Sequence, residues 1–135
     1  MARSGRQQLL FRNPAPTVRI ILVEYGLRRP VGDAKAWEAQ LEHLIEIAEL
    51  PMVTLQVLPF SAGAHHLMNG SLTLLWQEDG SAVAYMEGNQ CSDLQEDPED
   101  VTRSRLSYDR ARDRSPPPPG STAFIRGVLK EFRAS

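Results

Sequence analysis

Hydrophobic residues along the chain fall into short continuous runs and longer spaced patterns, and the short runs predict the strands. Apolar runs at 18–23 and 53–58 are rich in β-branched residues and leucine, and the first is apolar enough to lie inside a sheet. Two further runs, at 71–77 and 82–87, flank a turn sequence and predict an antiparallel hairpin. A short edge strand is expected over 89–95. The chain thus carries four or five predicted strands.

Three segments have apolar residues three and four positions apart, which is the spacing of one helix face. Asp33 is suited to cap the first of these helices, Asp97 the second, which should run to about Arg112, and Ser121 the third. The predicted buried faces are Trp37, Leu41, Leu44, Ile45 and Ala48 in the first helix; Val101, Ser104, Tyr108 and Ala111 in the second; and Phe124, Ile125, Val128, Leu129 and Phe132 in the third. An acidic row on the first helix is typical of a solvated face and consists of Glu38, Glu42, Glu46 and Glu49.

The order of these elements predicts an α+β fold with an α/β-like start, built on a mixed sheet of four to five strands with three helices. A strand, a helix and a second strand at the beginning allow a right-handed parallel crossover. We divide the chain into an N-terminal arm, 1–16, and a single α+β domain, 17–135. A proline-rich linker at 115–120, stiff and extended, precedes the last helix. The apolar face of that helix packs either on its own sheet or on a neighbouring subunit, as in a homodimer.

Composition limits the class of protein. With 135 residues, 41% of them hydrophobic, the chain can bury one core of ordinary size. The formal charge of -2 argues against broad electrostatic binding to nucleic acid. The single cysteine, Cys91, cannot form an internal disulfide, and no apolar run approaches the roughly 18 residues of a membrane span. We therefore expect a soluble cytoplasmic protein.

The loop at 59–70, between the second and third predicted strands and named here the central loop, is the first candidate for function, because a loop held at both ends by strands often carries it. Glu24 and Glu87 each end an apolar strand, where open sheets commonly place ligands. If His65 in the loop approaches either glutamate, the pair could transfer a proton. In the alternative, Glu24 pairs with Arg28 or Arg105 in a purely structural network.

Apolar and aromatic side chains near this loop could line a pocket with His65 and Glu87 at its mouth, or could equally form a filled core. No cofactor is expected. No metal site is predicted either, because the histidines and Cys91 show none of the usual paired ligand spacings. The candidate ligand-binding residues are Phe60, His65, Leu67, Met68, Trp76, Tyr85 and Arg105, with Met86 beside them.

Several segments, taken in order, resemble one family. The most specific is the Leu-Gln-Val-Leu-Pro-Phe-Ser-Ala-Gly-Ala-His run at 55–65, and weaker matches lie at 27–32, 40–44, 85–88, 96–99 and 105–110. They resemble the C-terminal domain of actinobacterial helix-turn-helix regulators of the Scr1 and WhiJ type, which are antitoxin-like. The resemblance covers about Met1 to Arg133 and implies the sensor or partner-binding half of such a regulator. No helix-turn-helix pattern precedes Val18, so direct binding to DNA is not expected.

Two functions from different classes follow. The first is a non-catalytic sensor or adaptor, derived from a regulator, that binds a small apolar molecule or a protein partner. The second is a small cofactor-independent enzyme, such as a cyclase or isomerase of secondary metabolism, with Glu24, His65 and Glu87 as its catalytic residues.

Overall fold

The sheet is mixed and has five strands within the part of the chain that the computed structural model describes, residues 17–62, 71–77, 80–88 and 91–134. The strands lie in the order β2-β1-β3-β4-β5. The pair β1–β2 is parallel and every other pair is antiparallel, which confirms the α+β class. The strands are β1 (Thr17–Val23), β2 (Val53–Leu58), β3 (Ser71–Trp76), β4 (Ala82–Gly88) and β5 (Cys91–Gln95).

Four α-helices accompany the described strands: α1 (Glu24–Leu27), α2 (Ala34–Ala48), α3 (Pro98–Asp113) and α4 (Pro118–Ala134), and a single 3-10 turn, Phe60–Ala62, follows β2. The predicted caps of α2 and α3 are confirmed. The Asp33 side chain accepts a hydrogen bond from the backbone N–H of Ala36 at 2.7 Å, and Asp97 accepts one from Glu99 at 2.9 Å. The sequence predicts only a connection where the single turn of α1 lies. This turn forms directly after β1 and redirects the chain toward α2.

The last helix begins at Pro118, so the prediction of a linker over 115–120 and of Ser121 as its N-cap is wrong. Pro118 and Pro119 form the first turn of the helix. Proline is tolerated there because its missing N–H would have no partner in the helix, and its fixed φ already suits helical backbone. Only a short connection, 114–117, joins α3 to α4.

The sheet separates two hydrophobic cores. The helices α2 and α4 cover one face, named here the α2–α4 face, and α3 covers the other, the α3 face. Of the two alternatives for its apolar face, the last helix therefore shows the first and packs on the sheet of its own chain. Buried residues on the α2–α4 face include Val18, Ile20, Leu55, Val57, Trp37, Leu41, Ile125 and Leu129; those on the α3 face include Ile21, Leu72, Leu74, Val101, Tyr108 and Ala111.

Ion pairs join α2 to α4 along their exposed sides. Arg133 pairs with both Glu38 and Glu42, and Arg126 pairs with Glu49 at 3.0 Å. The pKa of Arg133 is raised, mainly because its guanidinium donates a hydrogen bond to Glu38. Three members of the acidic row thus face arginines of the neighbouring helix, while the row also remains near the surface.

Candidate functional site

One edge of the sheet brings together the ends of three strands. Because β1, β2 and β4 run in the same direction, their C-terminal ends lie at this edge with the start of β3. Glu24 follows β1 directly, and Glu87 lies opposite Ser71 near the end of β4. The strand β3 lies between the two glutamates, and two strand spacings correspond to about 10 Å.

Glu24 is buried, with 7% of its surface exposed, and both of its carboxylate oxygens accept hydrogen bonds. Oε1 accepts from the backbone N–H of Phe60 at 2.7 Å, and Oε2 accepts from Arg28 Nε at 2.6 Å. Arg28 in turn donates from Nη1 to Glu131 of α4, also at 2.6 Å. The Glu24–Arg28 pair is one of the two pairings that the sequence offered for Glu24, whereas Arg105 takes no part in this network.

This network fixes the start of the central loop. The hydrogen bonds to Glu131 and to Glu24, in that order, raise the pKa of the Arg28 guanidinium above its ordinary value, so it remains a cation throughout the working pH range. A buried carboxylate held by such a cation and by a backbone N–H is well satisfied. The two hydrogen bonds occupy one lone pair on each oxygen of Glu24, and burial limits the access of a substrate to the others.

Glu87 and the predicted pocket residues are distributed over both faces of the sheet. Tyr85 donates a hydrogen bond to Glu87 Oε2 at 3.4 Å, and both side chains are half-buried on the α2–α4 face. Trp76 and Met86 pack instead into the core of the α3 face. Trp76 and Tyr85 therefore do not line one pocket.

The remaining predicted residues lie in three other places. Phe60 is 57% exposed at the sheet edge, and Arg105 is exposed on α3, where its guanidinium lies over the Trp76 ring. His65, Leu67 and Met68 lie outside the described residues. The predicted approach of His65 to either glutamate, and the predicted place of Leu67 and Met68 in a pocket lining, stay predictions.

A surface cavity of about 180 Å³ opens between α1, the start of α2 and the end of α4, on the α2–α4 face. Its lining is mostly apolar, with one ion pair. The lining residues are Leu27, Arg28, Pro30, Trp37, Val128, Glu131 and Phe132. Arg28 therefore belongs both to the cavity wall and to the network that holds Phe60.

The sequence indicated the residues of this cavity only in other roles. Trp37, Val128 and Phe132 belong to predicted core stripes, and Pro30 to a connection. No local spacing shows that two helix stripes leave a gap where they diverge. The juxtaposition of Arg28 with Glu131, 103 positions apart, gives no signal in one sequence.

The described ranges offer neither a metal centre nor a membrane-spanning helix. No group of three histidine, cysteine or acidic side chains there could hold a metal ion. Among the helices of 17–62 and 91–134, none combines the length and apolar character needed to cross a bilayer.

Comparison with known proteins gives one match. A family model described as a domain of unknown function, DUF5753, matches residues 1–127. No curated protein and no solved structure matches the chain. The match covers most of the sequence, and its description names no activity, ligand or partner.

Proposed function

We propose that this chain, which belongs to the DUF5753 family, is a non-catalytic binding domain that accepts a small apolar group in the cavity between α1, α2 and α4. One observation carries the proposal. Arg28 lines the cavity and also pairs with Glu24, whose other oxygen holds the backbone of Phe60. A group bound in the cavity is thereby connected to the start of the central loop.

The size of the cavity limits what it accepts. Sites for drug-sized molecules usually measure about 300–1,000 Å³, whereas an apolar cavity of about 150 Å³ in another protein holds benzene. At about 180 Å³, this cavity fits a single ring or a branched aliphatic group. The Arg28–Glu131 pair at its wall supplies a polar contact that orients the ligand.

The network can transmit the binding of such a ligand to the protein surface. A bound group that contacts Arg28 differently in two arrangements of its side chain shifts the equilibrium between them. A movement of Arg28 shifts Glu24, and a movement of Glu24 shifts the backbone at Phe60, because a short hydrogen bond joins each group to the next. Since the Phe60 ring is largely exposed, a protein partner that contacts this ring can respond to a shift of the Phe60 backbone. This is the behaviour of a sensor or adaptor.

We further propose that the domain derives from an actinobacterial antitoxin-like regulator and acts in the cytoplasm without binding DNA itself. The supporting feature is the family-like run at 55–65, which forms most of β2 and leads into the central loop. A homodimer through α4 would have to use Phe124 and Phe132, which are half-buried, because Ile125 and Leu129 lie inside the core.

The catalytic alternative has less support. A cyclase or isomerase using Glu24 would need a carboxylate that is available to substrate, and both oxygens of Glu24 already accept short hydrogen bonds. That alternative therefore depends on His65 and Glu87.

Binding of benzene to the full chain tests the proposal. We expect saturating benzene to raise the thermal unfolding midpoint of the wild-type protein by about 2 °C or more, since a ligand of the folded state alone stabilises it. Val128→Leu places an extra methylene at the cavity wall and should abolish the rise. Val31→Leu makes the same change at a position that is 72% exposed and should leave it intact.

Chemical shifts of backbone amides provide the second readout. The amide of Phe60 should shift on addition of benzene to wild type and to Val31→Leu, but not to Val128→Leu. The proposal would be overturned if saturating benzene changed neither the thermal unfolding midpoint of the wild-type protein nor the chemical shift of the Phe60 amide. If benzene raised the unfolding midpoint but left the Phe60 amide shift unchanged, the cavity would bind a ligand without affecting the central loop. That result would overturn the sensor role.

A further inference from the structure

Two arginines stack on one tryptophan on the α3 face, away from the cavity. The guanidinium carbon of Arg19 lies 5.5 Å from the centroid of the Trp76 ring, and that of Arg105 lies 5.7 Å from it. Arg19 comes from β1 and Trp76 from β3, two residues beyond the position opposite Arg19, so that both point to the same face. Arg105 comes from the margin of α3. We call these three residues the basic stack.

The arginines of the basic stack differ from Arg103 and Arg112 of α3 in forming no ion pair with a described residue. Arg103 pairs with Asp100, and Arg112 lies 3.6 Å from Asp109. Within the described ranges, Arg19 and Arg105 form no ion pair. Among the described residues, two positive charges therefore stand together without a carboxylate partner, in a chain whose net charge is -2.

Contact with the ring uses none of the N–H donors of either guanidinium, although the guanidinium of Arg19 also lies near the Tyr108 hydroxyl. A guanidinium contacts an aromatic ring through its flat face, while its five N–H donors point outward in the guanidinium plane. Contact with the ring also restricts the side chain, so that less conformational entropy is lost when a partner binds. The basic stack thus presents oriented donors that suit carboxylates, which guanidinium groups bind in pairs of hydrogen bonds.

We infer that the basic stack is a docking site for an acidic segment of a partner protein. Charge complementarity identifies the occupant as acidic. Tryptophan and arginine are also the residue types most enriched where protein interfaces concentrate their binding energy. Small ligands are usually enclosed in concave sites, whereas Arg105 is exposed at the margin of α3, where it can meet a partner's surface. The site goes beyond the cavity proposal and does not depend on it.

The inference predicts a defined dependence on salt. Part of the attraction involves exposed charges, which are screened over about 8 Å at physiological ionic strength. Affinity should therefore fall as salt rises. Loss of either arginine should reduce that fall, because fewer charges then contribute.

Fluorescence anisotropy of a fluorescein-labelled hexaglutamate peptide, titrated with the full chain at low ionic strength, tests the inference. We expect saturable binding to wild type and about tenfold weaker binding to Arg105→Gln and to Arg19→Gln. Arg110→Gln removes the same charge from an exposed position of α3 outside the basic stack and should change the affinity less than about twofold.

Three results would overturn the inference. They are no peptide binding by wild type, an equal loss in Arg110→Gln and Arg105→Gln, or inorganic phosphate that competes with the peptide at equal affinity. The last result would indicate a site for small anions. Arg105 is exposed, so Arg105→Gln should fold and gives a decisive result even if Arg19→Gln does not.

Discussion

The hydroxyl oxygen of Ser121 accepts a hydrogen bond from the backbone N–H of Val57 at 3.0 Å. The same hydroxyl donates to the carbonyl oxygen of Pro116 at 2.9 Å, and Gln56 Nε2 donates to that carbonyl at 3.1 Å. Val57 belongs to β2, an outer strand of the described sheet whose outward N–H groups would otherwise lack a strand partner. The helix α4 and the connection before it therefore cover the outer side of β2.

Replacement of Ser121 by alanine should destabilise the protein by about 1–3 kcal/mol, because it leaves the buried N–H of Val57 without a partner. Urea denaturation measures the loss. Thr122→Ala removes the neighbouring hydroxyl, which donates only to the Pro118 carbonyl within its own helix, and should cost less than about 1 kcal/mol. Equal losses in the two variants would contradict a role for Ser121 at the sheet edge.

Glu24→Gln should lower the free energy of unfolding by about 1–2 kcal/mol. The amide oxygen can still accept from Phe60, but the charge-assisted bond from Arg28 is lost. Glu131→Gln removes the exposed partner of the same guanidinium and should cost less than about 1 kcal/mol. Chemical denaturation of both variants checks the order, and a larger loss at Glu131 would show that the buried pair is not the stabilising one.

Tyr108 should make stability depend on alkaline pH. Burial raises the pKa of its phenol, and the positive charges of Arg19 and Arg112 offset part of that effect. Since the unfolded chain loses this proton first, near pH 10, the contribution of Tyr108 is complete below about pH 10 and falls as pH rises toward the folded pKa. The loss is at most about 1.4 kcal/mol per pH unit.

Tyr108→Phe isolates this contribution because the other tyrosines titrate in both proteins. The Tyr108 hydroxyl is buried and has no partner at full hydrogen-bonding geometry among the described residues, although the Arg19 guanidinium lies close to it, so its removal should change stability by less than about 1 kcal/mol at pH 7. Above pH 10 the stability of the variant relative to wild type should increase. Denaturation curves at pH 7 and in the alkaline range measure it, and a constant difference would contradict the assignment.

Two glycines should respond in opposite directions to alanine. Gly80 has a φ of +86°, in the left-handed region of the β3–β4 turn, and Gly80→Ala should destabilise by about 1 kcal/mol. Gly127 lies in α4 with open space where a methyl group would stand, and Gly127→Ala should stabilise by about 0.5–1 kcal/mol. Thermal unfolding of both variants checks the signs. Packing does not complicate the comparison, since no described residue beyond the chain neighbours lies within 4 Å of either added methyl group.

Local patterns in the sequence predicted most of the fold. The caps at Asp33 and Asp97 act through side-chain contacts two or three residues away, which short-range spacing can show. The predicted face of α3 is buried at Val101, Ser104, Tyr108 and Ala111 for the same reason. The start of α4 was missed because four consecutive prolines suggest an extended linker, although two of them fit the first turn of a helix.

The strands, the long helices and their buried faces follow from the order of amino acids alone, because hydrophobic periodicity and capping act over a few residues. Three features required the folded chain: Arg28 joins Glu24 to Glu131, Trp76 lies between α3 and the sheet with two arginines, and α2 and α4 diverge around a cavity. These contacts link positions that are far apart in the chain. They depend on strand order and helix placement, which a local pattern does not specify.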